Sequence, residues 1–466
     1  MSIDTNSTTA WAERVIALRR HYDSGATRTY SARRNALLAL KESLTKNEAA
    51  ILDAMRLDMG KPTFEAYVSE LGLVYAEIRH TLDHLKAWMR PQRVGTPLSL
   101  QVSTSAIHSE PLGVVLIIGP WNYPVQLLLA PLIGAIAAGN CVVVKPSNQA
   151  PHTAAVTERI LEEAFAPEQV AVVQGAGSVV GPQLIEGFRF DHIFFTGSPA
   201  VGRTIMAMAA PHLTPVTLEL GGKSPAIVDR DADVNTAAKR IAWAKYFNAG
   251  QTCISPDHAF VHTDVMDHFL ASFSKHVHRF FGDDPQRSPH FARLINAKRF
   301  EVVKGYLQHG HIHIGGTHDA ANRYIAPTVL TDVSLDSPPM REEIFGPILP
   351  VIPWTEKEEV LQMVRRNPFP LSAYVFTSKN RTARYFTENI PFGGGCVNHC
   401  MLHFGNSDMP FGGVGNSGMG SYHGKRSFDL FSHHKGIVTA STMIDPGIQY
   451  APYGRFKEKI MRWVLK

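Results

Sequence analysis

Short, continuously apolar runs separated by helical stretches constrain this chain more than any other feature. The runs are Val114 to Ile118, Cys141 to Val144, Val170 to Val173, His192 to Phe195 and Ala226 to Val228, with helical stretches such as Gln126 to Ala138 between them. A run that is apolar at every position suits a strand buried on both faces, as in parallel sheets covered by helices. The alternation therefore predicts an α/β fold built on a parallel, doubly wound sheet. Ligands of such sheets lie beyond the carboxyl ends of the strands, so function is sought in the turns after each run. Those turns read GPWNYP, KPSN, QGAG, TGSPAVG and, after a later strand, LELGGKSP.

From Trp11 to about Met89 apolar residues recur at helical spacing, with Thr45 and Glu48 spaced as a capping box and Pro91 to Pro97 ending the helical region. Leu100 to His108 alternates as a strand. A second alternating region, from about Gly222 to Gly394, contains Gln251-Thr252-Cys253 and predicts a second α/β domain facing the first across a cleft. Ile444 to Lys466 ends in a short, basic, amphipathic helix, read as a surface-packed tail in preference to a membrane contact.

With 466 residues the chain is long enough for two or three domains. Its charge of +5 arises from 46 basic and 41 acidic residues without a basic run, which gives nucleic-acid binding no support. Cys141, Cys253, Cys396 and Cys400 form no disulfide framework, and reduced thiols in the cytoplasm are expected. The first residues lack the pattern of a signal peptide, and no run of about 18 apolar residues marks a membrane span.

Cys253 lies in FNAGQTCISPD, among small and polar neighbours, where a nucleophile and an inert thiol are both open readings. Glu219, in LELGGKSP, is a carboxylate in an apolar run before two glycines. It reads as a salt-bridged strand end or, with its pKa raised by burial, as a general base. Asn122, in the turn after the first run, is either an Asx-turn residue or an oxyanion donor. Gly197, Ser198 and Gly202 form Gly-Ser-x-x-x-Gly at an expected helix N-terminus, where backbone amides can hold a pyrophosphate or simply make a tight turn. His309, His311 and His313 alternate along a strand, and Cys396 and Cys400 flank His399, yet neither group supplies a complete ligand set, so no metal site is expected.

GPWNYP, VVKPSN, FTGSPAVGR, LELGGKSP, GQTC and EEIFGP occur here in the order found in the aldehyde dehydrogenase superfamily, which the chain resembles over nearly its whole length. CISPD and PFGGVGNSGMGSYHGKRSFDLFSH, with the short N-terminal segment, make it most similar to class 3, including bacterial coniferyl aldehyde dehydrogenases. The resemblance implies an aldehyde dehydrogenase-like fold of two doubly wound α/β domains with a small β oligomerisation extension. Residues 1–95 and 113–220 would bind the cofactor and 221–395 would carry catalysis. Residues 96–112 and 425–445 would be oligomerisation strands of a homodimer, and 446–466 a tail.

The resemblance also implies oxidation of an aromatic or medium-chain aliphatic aldehyde to its acid through a thiohemiacetal and thioester on Cys253, with Glu219 as base and Asn122 as oxyanion donor. NAD or NADP would be held by Lys145 and Glu343 at the ribose and by Ser198 at the pyrophosphate, with Phe345 near the nicotinamide. Ser147, Asn148, Gly197, Gly202 and Leu220 would complete the cofactor site. Asn148 stands where many members carry a Glu that repels a 2′-phosphate, which favours use of NADP. His258 stands where class 3 relatives often carry an aromatic residue, which bears on the substrate wall. A coenzyme A-acylating aldehyde dehydrogenase and, further off, a cysteine-dependent ester or thioester hydrolase are the alternatives.

Overall fold

A computed structural model describes residues 5–465. Val216–Leu220, His192–Gly197, Val114–Ile118, Cys141–Lys145 and Val170–Val172 lie side by side in that order as a parallel sheet, with the two-residue strand Gly418–Met419 antiparallel at the Val216–Leu220 edge. Every residue of Val114–Ile118 and Cys141–Lys145 is buried, as a sheet covered on both faces requires. Helix Gln126–Ala138 is buried along its whole length, because Tyr30–Lys46 and Gly72–Trp88 pack over it from outside.

The second sheet runs His311–Ile314, Thr328–Thr331, Ile348–Trp354, His258–His262, Pro225–Val228, Ser372–Phe376, Gly394–Val397, parallel except for its first pair. Pro225–Val228, the last of the apolar runs, belongs to this sheet and not to the first. His311 and His313 are exposed on its edge strand. A third, antiparallel ribbon joins Gln92–Val94, Ser103–Pro111 and Ser432–Ala440, the last two in unbroken register from Ser103 opposite Ala440 to Pro111 opposite Ser432.

Local sequence misled at several points. Gln92–Val94 forms a ribbon strand inside the stretch read only as a helix breaker. The strand expected from Leu100 begins at Ser103, because Leu98–Leu100 closes a 3₁₀ turn after Pro97. Thr45 caps nothing. It lies inside helix Tyr30–Lys46, where its hydroxyl donates to Lys41 O at 2.8 Å, while Glu48 accepts from Tyr75 Oη at 3.1 Å. Helix Arg455–Val464 has no fully buried residue and lies on the surface beside Leu98–Leu100, with Ile460, Met461 and Val464 half-buried.

Glu70 ties the N-terminal helices to the first sheet's central helix. One of its oxygens accepts from Lys61 Nζ at 2.7 Å, and the other from the backbone N–H groups of Val125 and Gln126 at 2.8 and 3.1 Å. Both side chains of the pair are fully buried. Removing one partner strands a buried charge, so Glu70→Ala is expected to lower stability by about 3–5 kcal/mol in denaturant unfolding. A loss below about 1 kcal/mol would place the pair among weak surface bridges instead.

Candidate functional site

Cys253 is held by a loop that helix Val234–Tyr246 delivers and strand His258–His262 carries away. Asn248 and Ala249 precede it in left-handed conformation, each with φ 52°, which costs on the order of 1–2 kcal/mol per residue outside glycine. Hydrogen bonds hold that conformation. Gln251, fully buried, donates from Nε2 to Asn248 O at 3.1 Å and Arg293 O at 3.0 Å, and accepts from Ile295 N at 2.9 Å.

Asn122 stands across from this loop. Its Nδ2 donates to Gln251 O at 3.1 Å, and its own carbonyl accepts from Asn248 Nδ2 at 3.0 Å. The neighbouring Tyr123 hydroxyl is 2.6 Å from Thr252 Oγ1, and Lys61 Nζ lies 4.0 Å from the centre of the Tyr123 ring. Asn122 is thus no simple Asx-turn residue, since its amide bridges two segments remote in sequence.

Two cavities meet at Cys253. A cleft of about 720 Å³ is lined by Asn122, Thr196, Glu219, Glu343 and Phe345 among others, and an apolar pocket of about 260 Å³ by Val68, Leu73, Trp243, Phe247, Met401 and Phe404. Cys253 and Leu127 border both.

Burial pushes the Cys253 thiol well above its ordinary range, and the Glu343 and Glu219 carboxyls add to it. The N–H groups of Cys253 and Ile254, directed at the sulfur, work the other way. Glu219, near the end of Val216–Leu220, is buried with neither carboxyl oxygen hydrogen-bonded within the protein, and that burial raises its pKa strongly. The salt-bridged strand end is therefore excluded for it.

Glu343 is pushed up to about 8, chiefly by burial and then by Asp257, while an N–H from Gly222 opposes the shift. Its Oε2 lies so close to Gly221 that a Cβ there would come within 2.0 Å. Arg299 holds the 343–345 loop through the carbonyls of Glu343, Ile344 and Phe345, and the Phe345 ring meets Trp121 edge-on at 5.3 Å. Lys223, paired with Asp257 and donating to Pro339 O at 2.7 Å and Glu342 O at 2.9 Å, anchors the same loop from beneath.

Gly197, Ser198, Leu220, Glu343 and Phe345 line the cleft. Lys145 is buried at the end of its strand, its Nζ donating to Pro146 O at 2.9 Å, and it does not line the cleft. Ser147 and Asn148 follow on the outer side, Asn148 exposed. Gly202 departs from its expected role. Its N–H is used by Ser198 O at 3.0 Å, and a Cβ on it would lie 2.9 Å from Leu220 Cδ2, so it lets helix Pro199–Ala209 pack on the sheet. His258 is buried beside Asp257, 3.4 Å away, and lines neither cavity that meets at Cys253.

The cleft suits a dinucleotide on three observations. Helix Pro199–Ala209 opens onto it, Glu343 presents a carboxylate, and the Thr196 hydroxyl is buried without a protein partner. Sequence reasoning missed Gln251, Asn248, Thr196 and Arg299. Of these, Asn248 and Gln251 lie in FNAGQTCISPD and Thr196 opens the turn TGSPAVG, so only Arg299 carried no local signal.

The sequence matches the aldehyde dehydrogenase family over residues 5–437. It is 43% identical over 451 residues to aldehyde dehydrogenase family 3 member B2 of Mus musculus, covering 96% of this chain and 94% of that one. It is 41% identical over 451 residues to the 4,4'-diaponeurosporen-aldehyde dehydrogenase of Staphylococcus aureus, covering 95% and 98%. The substrate-bound structure of Staphylococcus aureus AldH superposes with a TM-score of 0.96 at 39% identity over all of both chains.

Glu65 accepts from Asn248 N at 3.0 Å, and burial pushes its pKa to about 7. Unfolded, Glu65 and Glu343 would lose their protons near the ordinary 4.5. Between that value and their folded ones the native state binds more protons than the unfolded state, so their contribution to stability is lost as pH rises. Glu65 and Glu343 should draw unfolding free energy down from about pH 5 to about pH 8, opposed below about pH 6.5 by buried His192, His403 and His423, whose lowered pKa values act the other way, and Glu65→Gln should flatten the decline above that pH. An identical slope in that variant would contradict the assignment.

Proposed function

The chain belongs to the aldehyde dehydrogenase family and oxidises aldehydes with NAD or NADP, and from that premise we propose which of its residues carry the reaction. The observation behind the proposal is the place of Cys253, which borders both the polar cleft and the apolar pocket. An aldehyde reaching it from the apolar pocket faces the cleft across the sulfur. The lining Val68, Leu73, Trp243 and Phe404 suits an aromatic or medium-chain aliphatic tail.

Cys253 Sγ adds to the aldehyde carbon, and Asn122 Nδ2 together with the Cys253 N–H donates to the oxygen as it gains charge. Glu343, Gly197, Ser198, Leu220 and Phe345 hold the nucleotide, with Lys145, Ser147 and Asn148 at its adenosine end. When bound, NAD(P) brings a positive ring that favours the ionised forms of Cys253 and Glu219 and accepts the substrate's hydride. The acyl group stays on Cys253 as a thioester. Glu219 then takes a proton from the water that attacks it, the acid leaves and the thiolate returns. Residues 1–95 with 113–220 serve the cofactor and 221–395 the chemistry, and the ribbon, exposed at Val94, Ile437 and Val438, joins two copies into a homodimer.

Asn122→Ala should lower kcat about 10²–10³-fold without unfolding the protein. Glu219→Gln should keep a rapid first turnover of NAD(P)H while slowing release of the acid, which stopped-flow absorbance beside steady-state rates would read. A full steady-state rate in Glu219→Gln removes it from the role of base. For the cofactor, the uncharged Asn148 implies that NADP is accepted alongside NAD and that Asn148→Glu moves the ratio toward NAD. A preference of the native protein for NAD of about a hundredfold or more in kcat/KM would overturn this.

A further inference from the structure

Helix Arg455–Val464 rests on the surface of the fold, and the proposed reaction leaves it without a role. Ile460, Met461 and Val464, all half-buried, mark the side turned inward, and the helix approaches Leu98–Leu100. Lys457 Nζ fixes its orientation by donating to Gly447 O at 3.0 Å and Tyr450 O at 2.8 Å. The outer side is both aromatic and cationic. Phe456 and Trp463 are 77% and 74% exposed, and with Lys459 they stand at i, i+3 and i+7, one line along the helix. Tyr453 and Leu465 extend the exposed apolar surface at either end. Arg455 and Arg462 lie together along one side of the line, and the single acid of the helix, Glu458, is held by Arg462 at 2.8 Å.

We propose that this helix docks the protein on an anionic lipid surface. It would lie in the headgroup plane with Phe456 and Trp463 inserted and Arg455 and Lys459 on lipid phosphates. Aromatic rings on one side of a short helix with Lys and Arg beside them meet both requirements of an interfacial helix, apolar burial and attraction to negative headgroups. A protein partner fits less well, because the cores of protein interfaces are depleted in lysine and here Lys459 lies between the two rings. Among the described residues no helix is long and apolar enough to cross a membrane, so the contact is peripheral.

The full chain is sedimented with vesicles of phosphatidylcholine alone and of phosphatidylcholine mixed with phosphatidylglycerol, at low and at raised salt. The expected result is binding to the anionic vesicles at least about tenfold above the neutral ones, weakened by salt. Phe456→Asp with Trp463→Asp should abolish that binding while oxidation of a short, water-soluble aldehyde keeps its native rate. Three results would overturn the proposal. They are no binding to anionic vesicles at low salt, undiminished binding of the double variant, or an oligomer that the double variant dissociates with no vesicle binding by either form, which would mean that a second copy covers the helix.

Discussion

The exchange of amide hydrogen bonds between the Asn122 turn and the loop before Cys253 is the constraint from which the rest of the site follows. Asn122 gives its side-chain donor to Gln251 O and takes the side-chain donor of Asn248 on its own carbonyl, between residues 129 and 126 positions apart. One partner follows a strand of the first sheet, and the other precedes a strand of the second. Two amides thus lock the carboxyl end of one sheet to the amino end of the other at hydrogen-bond distance. Gln251 extends the lock to Arg293 and Ile295, and with every polar atom of its side chain used the left-handed Asn248 and Ala249 have no cheaper arrangement. The position of the cysteine is set by partners remote in sequence, Asn122 in the facing half and Arg293 and Ile295 in its own, more than by its chain neighbours.

Buried carboxylates here are of two kinds, and the difference divides scaffold from chemistry. Glu70 accepts from an ammonium and two backbone N–H groups. Asp257 accepts from Lys223 and from Ile344 N at 2.8 Å, and although burial raises its pKa, Lys223 and its other cationic neighbours hold it below the ordinary range. Asp257 is held ionised in this way, and both carboxylates fix loops. Glu219 has no partner at all, and Glu343 has one N–H and a distant guanidinium. An isolated carboxylate in a desolvated wall keeps its proton until a positive charge arrives, which leaves Glu219 and the equally desolvated Cys253 thiol responsive to what enters the cleft.

What could be read from the sequence follows from the range of the interactions involved. Val114–Ile118 and Gln126–Ala138 were legible to the residue, because burial on all sides leaves an uninterrupted apolar signal. Cys253, Glu219 and Asn122 were legible as candidates because chemistry at strand ends sits in turns of unusual composition. Gly202 was misread because a glycine that admits a helix to a sheet and one that admits a phosphate look alike until Leu220 is seen 2.9 Å from its missing Cβ. Thr45 and Glu48 had the spacing of a cap, yet the chain runs helical through Thr45 and turns at Asn47, whose Nδ2 donates to Ser43 O at 2.9 Å. Apart from the bonds between them, Asn248 and Gln251 carry the brace with partners more than a hundred residues away or in other loops, and no local window contains those contacts.

The meeting of a polar and an apolar cavity at one sulfur also bears on where water enters. Glu219 lines the cleft and not the apolar pocket, and the pocket's walls are mostly hydrocarbon, with Ser69, Tyr123, Gln126 and Thr252 the polar residues among them. In the proposed reaction the acyl chain fills that pocket while the thioester forms, so water has no stable path to the carbonyl from the substrate side. It must come through the cleft, past Glu219, on the side where Glu343 and Phe345 would hold the dinucleotide, so the residues that would bind the cofactor and the base that would activate water share one opening onto the sulfur.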